Sequence, residues 1–356
     1  MNFRNILIFR IGHLGDTVVG LPALWRVRHA MPDARLTLLS NADSQNPDYV
    51  SARGVLPENG LVDDWISYPS NAGSFSSIIS FTRLAWMLRL RSFDAVVYLM
   101  PRTRTAAQIR RDRFFFRIAV SGPIIGIENL ERNRIPEHAP HPMVPVERES
   151  DYLWNCLDHD RFPGSDLTRS TDLALTPAEF ATADAWLMRH AKNPLLIAIS
   201  PGSKWPSKVW KEENFASIVS RLIERYGVFP IIFGGPEDAE IGDRLVGRWG
   251  AGANSAGKFT VRQSAAALSR CGLYLGNDTG TMHLAAAVGV KCVGIFAAID
   301  WIGRWEPFGA SNRILRKSVG CEGCHTPNCF NAHKCLELIT VDEGFRSSAE
   351  ILDMSP

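Results

Sequence analysis

The sequence of 356 residues lacks several features that would assign a protein class directly. No run reaches the roughly 18 or more apolar residues that a membrane-spanning helix needs. Neither charge sign dominates, since 39 Lys and Arg stand against 37 Asp and Glu, so composition does not favour nucleic acid as a partner. Low-complexity segments and short repeats are also missing, which excludes a solenoid.

A disulfide framework and a secretion leader are not expected either. The seven cysteines are an odd number, and Arg10 interrupts the first apolar run before it reaches signal-peptide length. We therefore predict a cytoplasmic protein, which could still contact the inner membrane peripherally. The length and the hydrophobic content of 46% allow two separate cores, and therefore two domains.

Short apolar runs alternate with helical patterns, which predicts parallel sheets of the doubly wound α/β class. Strands are predicted at residues 6–11, 36–40, 95–100, 195–200, 228–233, 273–276 and 291–296. The first strand is followed by a helical pattern from Asp16 to about Ala30, with a bend or a late helix start near Pro22.

Helix start and stop signals place the boundary between the two halves. Thr176 and Pro177 have the residue types of an N-cap and a first helical position, so we divide the chain into domains 1–175 and 176–356. In the second domain, apolar residues at three-and-four spacing from Phe215 to Tyr226 predict an amphipathic helix that Gly227 ends.

The polar segment from Asn277 to His283 follows one of the predicted strands and opens a helix of small residues. Helix N-termini present unpaired N–H groups and a positive dipole end, so the segment predicts an anion site, with the Thr279 hydroxyl beside it. The alternative is an ordinary capped helix, with Asp278 or Thr279 as the cap and His283 as a half-buried histidine.

A second loop, residues 201–210, follows another strand, at the end where open α/β sheets bind ligands. It carries Lys204 and Lys208 together with two serines and two tryptophans. Either lysine could neutralise a diphosphate and stabilise the charge on a leaving nucleoside diphosphate. The alternative is a solvated loop with exposed lysines.

The loop at residues 12–16 resembles part of a dinucleotide fingerprint but lacks the G-x-G-x-x-G spacing. Asp16 falls at a helix N-terminus, where the dipole favours the ionised carboxylate, so it could accept a proton from a sugar hydroxyl. Asp16 could instead cap the helix, and the two roles can coexist.

Arginines are concentrated in one part of the chain. Residues 83–91 form a basic and apolar stretch, which Arg102, Arg104, Arg110 and Arg111 follow. Because arginine binds phosphates and carboxylates in two-pronged fashion, this group could hold an anionic acceptor or contact anionic lipid. The alternative is a solvated helix face.

Four cysteines form a Cys-rich segment at residues 321–335. They are Cys321, Cys324, Cys329 and Cys335. Their ligand type suits a structural zinc or iron–sulfur site, although the spacing is irregular for a known finger. Redox-labile thiols and simply packed cysteines are the alternatives, and we predict no catalytic metal.

The loops at residues 12–16, 201–210, 234–237 and 278–283, in this order, resemble glycosyltransferase family 9, the ADP-heptose:lipopolysaccharide heptosyltransferases. The resemblance implies a GT-B fold, with two Rossmann-like domains facing across a cleft. Residues 1–175 would bind the acceptor and residues 176–356 the nucleotide sugar. It also implies inverting transfer of heptose from ADP-heptose to a lipopolysaccharide core or related glycan, without metal or other cofactor.

The same resemblance assigns site residues. Asp16 matches the general base, Lys208 matches the lysine that faces the donor diphosphate, and the arginines would bind the acceptor. The donor residues would be Ser203, Lys204, Glu237, Asp278, Thr279, Gly280 and His283, of which Lys204 departs from the family's usual small hydroxyl residue. Two alternatives stay open: a GT-B enzyme that uses another nucleotide sugar, such as a UDP-N-acetylglucosamine 2-epimerase-like enzyme, and a non-catalytic nucleotide-sugar-binding protein.

Overall fold

The computed structural model describes residues 3–42, 49–69, 74–157, 161–163, 169–193 and 195–354. The chain forms two compact units. The N-terminal unit consists of Met1–Glu137 and Glu147–Thr171, and the C-terminal unit consists of His138–Val146 and Asp172–Pro356.

The N-terminal unit is built on a parallel five-stranded sheet. Its strands are β1 (Asn5–Phe9), β2 (Arg35–Ala42), β3 (Asp64–Pro69), β4 (Ala95–Tyr98) and β5 (Ile124–Ile125). They are arranged in the order β3-β2-β1-β4-β5. The helices are α1 (Leu14–Val19), α2 (Leu21–Ala30), α3 (Ser74–Leu90), α4 (Ala106–Ala119), α5 (Ile127–Arg132) and α6 (Glu149–Asn155).

The C-terminal unit repeats this architecture with a parallel six-stranded sheet. Its strands are β6 (Leu196–Ser200), β7 (Phe229–Ile232), β8 (Ala253–Asn254), β9 (Leu273–Asn277), β10 (Cys292–Phe296) and β11 (Arg313–Arg316). Their order is β11-β10-β9-β6-β7-β8. The helices are α7 (Pro177–His190), α8 (Glu212–Tyr226), α9 (Ala239–Trp249), α10 (Val261–Leu268), α11 (Gly280–Ala287), α12 (Lys334–Glu337) and α13 (Val341–Asp353).

All seven predicted strands are confirmed, with ends shifted by one or two residues. The strands that the sequence pattern did not indicate are β3, β5, β8 and β11, which are the edge strands of the two sheets. Central strands are buried on both faces and read as continuous apolar runs, whereas these edge strands are very short or only partly buried.

The helix signals are mostly confirmed. The Thr176 hydroxyl accepts the N–H of Glu179 at 3.3 Å and caps α7, and Gly227, with φ of 64°, ends α8. The predicted interruption near Pro22 is confirmed, because α1 ends at Val19 and α2 starts at Leu21 with Pro22 in its first turn. Among the described helices, none has both the length and the apolar character needed to cross a bilayer.

The domain prediction placed residues 138–146 in the N-terminal half, but in the structure they belong to the C-terminal unit. They pack on the C-terminal unit, where the Val146 N–H donates to the Ile302 carbonyl at 2.8 Å and the His138 ring lies 3.1 Å from the Cys324 carbonyl oxygen. The segment contains neither helix nor strand, so no periodic pattern in the sequence could reveal where it packs.

Candidate active site

Four loops of the C-terminal unit begin at the carboxyl ends of neighbouring strands. They follow β6, β7, β9 and β10, which are adjacent in the order β10-β9-β6-β7. This is the edge at which open α/β sheets bind ligands. The loops carry the predicted residues Lys208, Glu237 and Asp278, and an acid that the sequence analysis did not single out, Asp300.

Asn277, at the end of β9, connects two of these loops. Its side-chain amide donates to the Pro201 carbonyl at 2.6 Å, and its side-chain oxygen accepts the N–H of Trp210 at 3.2 Å. The next residue, Asp278, pairs with the Lys208 ammonium at 2.6 Å, and both side chains are largely buried. The ion pair therefore fixes the lysine beside the start of α11.

Helix α11 begins without a side-chain cap. Thr279 occupies the N-cap position, but its side chain accepts no hydrogen bond from the helix. Its buried hydroxyl lies close to the buried Tyr274 hydroxyl, but among the described residues neither makes a hydrogen bond of normal geometry. Because Asp278 is bound to Lys208, it does not cap the helix either. The Met282 N–H donates to the Thr279 carbonyl at 3.2 Å, so the N–H groups of Gly280 and Thr281 are the ones that an uncapped helix start offers to an anion.

Asp300 is a buried acid in the loop after β10. Its carboxylate accepts the indole N–H of Trp305 at 2.8 Å and lies 3.3 Å from the Arg304 guanidinium. Burial raises the pKa of Asp300, but nearby positive charges and N–H donors outweigh that effect and hold the pKa below its ordinary value. These groups belong to Arg304, Trp301, Trp305 and Lys208. Asp300 is therefore a buried negative charge that the surrounding positive charges, Lys208 among them, favour in its ionised form.

Two glycine loops close around the carboxylate of Asp238, which accepts the N–H of Gly235 at 3.2 Å. A Cβ added at Gly202 or Gly234 would lie 1.7 or 2.1 Å from that carboxylate, so both positions need glycine. Burial raises the pKa of Asp238 to about 6, the charge of Glu237 adds to the rise, and the Gly235 N–H opposes it. Glu237 itself is exposed beside this cluster.

The Cys-rich segment supports the loops that carry the lysine and the buried acid. Ser207 donates its N–H to the Pro327 carbonyl at 2.9 Å and its hydroxyl to the Thr326 carbonyl at 2.6 Å. The His325 N–H donates to the Ile299 carbonyl at 2.9 Å. The segment thus holds the turn before Lys208 from one side, a role that its cysteine content did not suggest.

The four cysteines of this segment form no disulfide bonds, and the structural metal site considered from the sequence stays a prediction. Among the described residues, no group of three or more His, Cys, Asp and Glu side chains is arranged to hold a metal ion. The thiols are free. Backbone N–H groups point at two of their sulfur atoms, from Ala298 to Cys335 at 3.4 Å and from His333 to Cys329 at 3.2 Å. Cys321 and Cys324 are only partly buried.

The remaining predicted donor residues differ in their surroundings. Ser203 is partly buried and its hydroxyl accepts the Trp205 N–H at 3.4 Å, whereas Lys204 is exposed. His283 is buried in α11. Of the two lysines that the sequence offered, the structure places Lys208 beside Asp278 near the N-terminus of α11 and leaves Lys204 on the surface.

Asp16 of the N-terminal unit lies in the first turn of α1, just beyond the carboxyl end of β1. Its Oδ2 accepts the N–H of His13 at 3.0 Å, so the predicted capping role is confirmed. Gly12 has φ of 139°, and a Cβ there would lie 2.2 Å from the Asp16 Cβ, so this turn needs glycine. The proton-accepting role of Asp16 stays a prediction.

Three residues outside this loop hold it in place, and the sequence pattern did not indicate any of them. The Gly12 N–H donates to the Asn41 side chain at 3.0 Å, and the Tyr49 hydroxyl donates to the Gly12 carbonyl at 2.8 Å. The Arg10 guanidinium donates to the Asp16 carbonyl at 2.6 Å. The loop is therefore anchored on both sides of the glycine.

The predicted acceptor arginines fall into two groups. Arg102 is buried and pairs with Glu147 at 3.3 Å. Arg104 pairs with Asp112 at 2.5 Å, and both of those side chains are largely buried. These two guanidinium groups therefore hold the N-terminal unit together. The exposed members of the set are Arg110 and Arg111.

Two doubly wound Rossmann-like units make up a GT-B fold. The C-terminal unit places an uncapped helix N-terminus and a fixed lysine at the ligand-binding edge of its sheet. The N-terminal unit places a carboxylate at the corresponding edge of its own. This combination is typical of glycosyltransferases that use nucleotide-activated sugars.

The model of glycosyltransferase family 9 (heptosyltransferase) matches residues 83–334, and the chain belongs to this family. It is a glycosyltransferase. Lipopolysaccharide heptosyltransferase 3 of Escherichia coli is 21% identical over 317 residues, with 86% of each chain covered. The family 9 glycosyl transferase of Veillonella parvula DSM 2008 has a TM-score of 0.75 at 21% identity, covering 99% of this chain and 98% of that chain. E. coli ADP-heptose LPS heptosyltransferase II has a TM-score of 0.68 at 18% identity, with 98% of both chains covered.

Proposed function

We propose that the protein transfers heptose from ADP-heptose to the core of a lipopolysaccharide, or to a related glycan, with inversion at the anomeric carbon. The observation that carries the proposal is the uncapped N-terminus of α11 beside the fixed ammonium of Lys208. The Thr279 hydroxyl and the Gly280 N–H complete a receptor with the charge and the donors that a diphosphate needs.

ADP-heptose supplies such a diphosphate, and one E. coli relative is an ADP-heptose LPS heptosyltransferase. Around the phosphate receptor, we assign the ribose hydroxyls to Glu237, which is exposed beyond the end of β7. Asp278 orients the lysine through their ion pair. Ser203 and His283, on the loop after β6 and on α11, are assigned to the rest of the donor.

The proposed reaction gives one task to each unit. Asp16 accepts the proton of the acceptor hydroxyl while that oxygen attacks the anomeric carbon, and the bond from this carbon to the diphosphate oxygen breaks. Lys208 and the N-terminus of α11 stabilise the negative charge that the departing ADP gains. Because these groups supply positive charge themselves, the scheme requires no divalent metal and no other cofactor.

The acceptor in this proposal is an anionic glycolipid or glycan. Arg110 and Arg111 are exposed and can bind its phosphates or acidic sugars, whereas the buried Arg102 and Arg104 hold the surrounding structure. A lipid-linked acceptor would be presented at the cytoplasmic side of the inner membrane, and we propose peripheral contact of the protein with that surface.

Calorimetry with ADP, ADP-heptose, UDP and UDP-N-acetylglucosamine tests the donor. We expect binding of the two adenine ligands and at least about tenfold weaker binding of the uridine ligands. A preference for uridine would instead indicate a GT-B enzyme with another nucleotide sugar. Donor binding without sugar transfer to heptose-deficient lipopolysaccharide would indicate a non-catalytic binding protein.

A further inference from the structure

Exposed apolar side chains are concentrated on α3 and α4 of the N-terminal unit. Of the eleven large apolar side chains that are exposed among the described residues, six lie on these two helices, so they form a patch and are not scattered. The six are Ile79, Phe81, Trp86, Leu90, Phe114 and Ile118. Trp86 and Phe114 are each 69% exposed, which leaves most of both aromatic side chains in contact with solvent.

Both helices lie on one side of the sheet. Helix α3 connects β3 to β4 and α4 connects β4 to β5, and both connections step in the same direction across the sheet, so right-handed crossovers place them in one layer. The rings of Phe81 and Phe115 are 6.0 Å apart across the two helices. At their C-terminal ends, the Arg89 guanidinium donates to the Ile118 carbonyl at 3.4 Å.

The outward sides of the two helices follow from helical spacing. In α4, Ile109, Asp112 and Phe116 are buried against the unit, and Phe114 and Ile118 fall on the opposite side. In α3, Trp86 and Leu90 are four residues apart and exposed. We define the α3–α4 face as the surface formed by Trp86, Leu90, Phe114 and Ile118 together with the exposed arginines Arg83 and Arg117.

The charge of this face has one sign. Helix α3 contains Arg83 and Arg89 and no acidic residue, and Arg91 follows it directly. The single acid of α4, Asp112, is buried and bound to Tyr98 at 2.6 Å, to Arg104 at 2.5 Å and to Arg111 at 3.0 Å. The α3–α4 face itself therefore presents Arg83, Arg117 and apolar side chains without an exposed carboxylate on either helix.

We propose that the α3–α4 face docks on a bilayer that contains anionic phospholipid. Trp86 and Phe114 enter the interface between headgroups and acyl chains, with Leu90 and Ile118 beside them, and the arginines contact lipid phosphates. The inference deepens the peripheral membrane contact of the proposed function by giving it a surface and a lipid class. It rests on the exposed side chains of α3 and α4 and not on the identity of the donor.

The charge pattern favours a lipid surface over a second copy of the chain. In a twofold-symmetric dimer built on this face, the same patch would meet itself, and the arginines of one copy would lie against those of the other. An anionic bilayer offers apolar contact and the opposite charge together. The patch is therefore complementary to a lipid surface and not to itself.

Sedimentation with vesicles tests the proposal on the full chain. Wild-type protein should bind vesicles of phosphatidylethanolamine and phosphatidylglycerol, and should not bind vesicles of phosphatidylcholine alone. The Trp86→Ser/Phe114→Ser variant should bind the anionic vesicles at least about tenfold more weakly. The matched control is Phe330→Ser in the C-terminal unit, because Phe330 is 71% exposed and lies outside the face.

A second pair of variants tests the charge independently of the rings. Arg83→Gln/Arg117→Gln should weaken binding to the anionic vesicles roughly tenfold, and raised salt should remove the difference from wild type. Arg248→Gln on α9, also an exposed arginine, is the control and should bind as wild type does. Equal binding by face and control variants, or equal binding of wild type to both kinds of vesicle, would overturn the proposal.

Two further measurements distinguish membrane docking from self-association of the chain and from failure of the proposed function. Sedimentation equilibrium without lipid reports self-association, and a dimer that Trp86→Ser/Phe114→Ser abolishes would assign the face to a second copy instead. Calorimetry with ADP should give wild-type affinity for every face variant. Loss of vesicle binding with intact ADP binding thus bears on the membrane surface alone, whereas failure of ADP to bind any variant, wild type included, bears on the proposed function.

Discussion

The loops after β1 and β9 each connect a buried strand to the start of a helix, but the two helix N-termini have opposite electrostatic surroundings. After β1, the Asp16 carboxylate turns back and accepts the His13 N–H at 3.0 Å. After β9, the Asp278 carboxylate is bound to Lys208 at 2.6 Å, and α11 starts without a side-chain cap.

The N-terminus of α1 is thus capped by a carboxylate of the protein, whereas the N-terminus of α11 has no side-chain cap. Asp16 supplies negative charge to α1 from within the protein, so a second anion would be repelled there. At α11, Lys208 neutralises the nearby carboxylate, and the N–H groups can serve an anion from outside. The same strand-loop-helix arrangement thus presents a carboxylate in one unit and an uncapped helix N-terminus, the proposed anion receptor, in the other. Those are the two groups that the proposed transfer needs.

The largest expected effect comes from removing the charge of the first loop. In Asp16→Asn, the amide oxygen can still accept the His13 N–H, so α1 should form, but the amide cannot take a proton. We expect kcat to fall about 10²- to 10⁴-fold, with the affinity for ADP unchanged. Transfer assays measure the first quantity and calorimetry the second.

Asp33→Asn is the control for this change, because Asp33 is an exposed acid of the same unit. It should leave both kcat and ADP affinity at wild-type values. Normal turnover of Asp16→Asn would eliminate Asp16 as the base. A parallel loss of ADP affinity would show that the substitution acts through the fold.

The next effect concerns the lysine of the second loop. Lys208→Gln removes the charge assigned to the leaving diphosphate, and we expect kcat to fall about 10²-fold. It also leaves the largely buried Asp278 carboxylate without its partner, which should lower the free energy of unfolding by about 1–3 kcal/mol. Adding Asp278→Asn should restore stability, measured by thermal melting, without restoring transfer.

Lys211→Gln is a matched control for the ion pair itself. Lys211 also binds a carboxylate, that of Glu337, at 2.7 Å, but both side chains are exposed. This variant should lose little stability and no activity. If it matched Lys208→Gln in both measurements, Lys208 would have no special role at the helix end.

A smaller effect tests whether α11 is open to an anion. Thr279→Val removes a buried hydroxyl that lies close to the Tyr274 hydroxyl without a hydrogen bond of normal geometry, so the unliganded protein should lose little stability. If the hydroxyl binds a phosphate, the affinity for ADP should fall about tenfold. Thr279→Ser keeps the hydroxyl and should retain most of the affinity. Equal ADP binding by the valine and serine variants would contradict this assignment.

Much of the fold could be read from the sequence because central strands and helix signals are local. A strand buried on both faces is a continuous apolar run, and Thr176 or Gly227 marks a helix end by its own chemistry. The edge strands carry no such signal. Nor does the segment at residues 138–146, which packs on the C-terminal unit through contacts distant in sequence.

The residues of the candidate site also include some that the sequence could predict and some that it could not. Lys208 and Lys204 could not be separated from the sequence, because the choice depends on which lysine reaches Asp278, 70 residues away. Asp300 was missed because it lies in an apolar stretch without a motif, and its neighbours Arg304 and Trp305 become meaningful only once the loop is folded. Contacts between residues distant in sequence therefore determine which charged side chains lie together at the site.

Asp238 accepts the N–H of Gly235, three residues earlier, in the same way as Asp16 accepts the N–H of His13. Burial, and then the charge of Glu237, raise the pKa of Asp238 from 3.8 to about 6. A carboxyl with a raised pKa in the folded state favours folding when protonated. Its contribution to stability is fully present below about pH 4 and is lost as the pH rises through about 6.

Asp238→Asn keeps an oxygen for the Gly235 N–H and removes the titration, so the thermal midpoint of this variant should exceed that of wild type near pH 7. The two midpoints should converge as the pH falls below about 4, which melting curves across this range can measure. Glu240→Gln is the control, since the Glu240 side chain is 89% exposed, and its difference from wild type should not follow this pH dependence. A midpoint difference for Asp238→Asn that stays constant with pH would mean that the Asp238 carboxylate is as well accommodated as that of Asp16. The glycine loops of the C-terminal unit would then tolerate its charge.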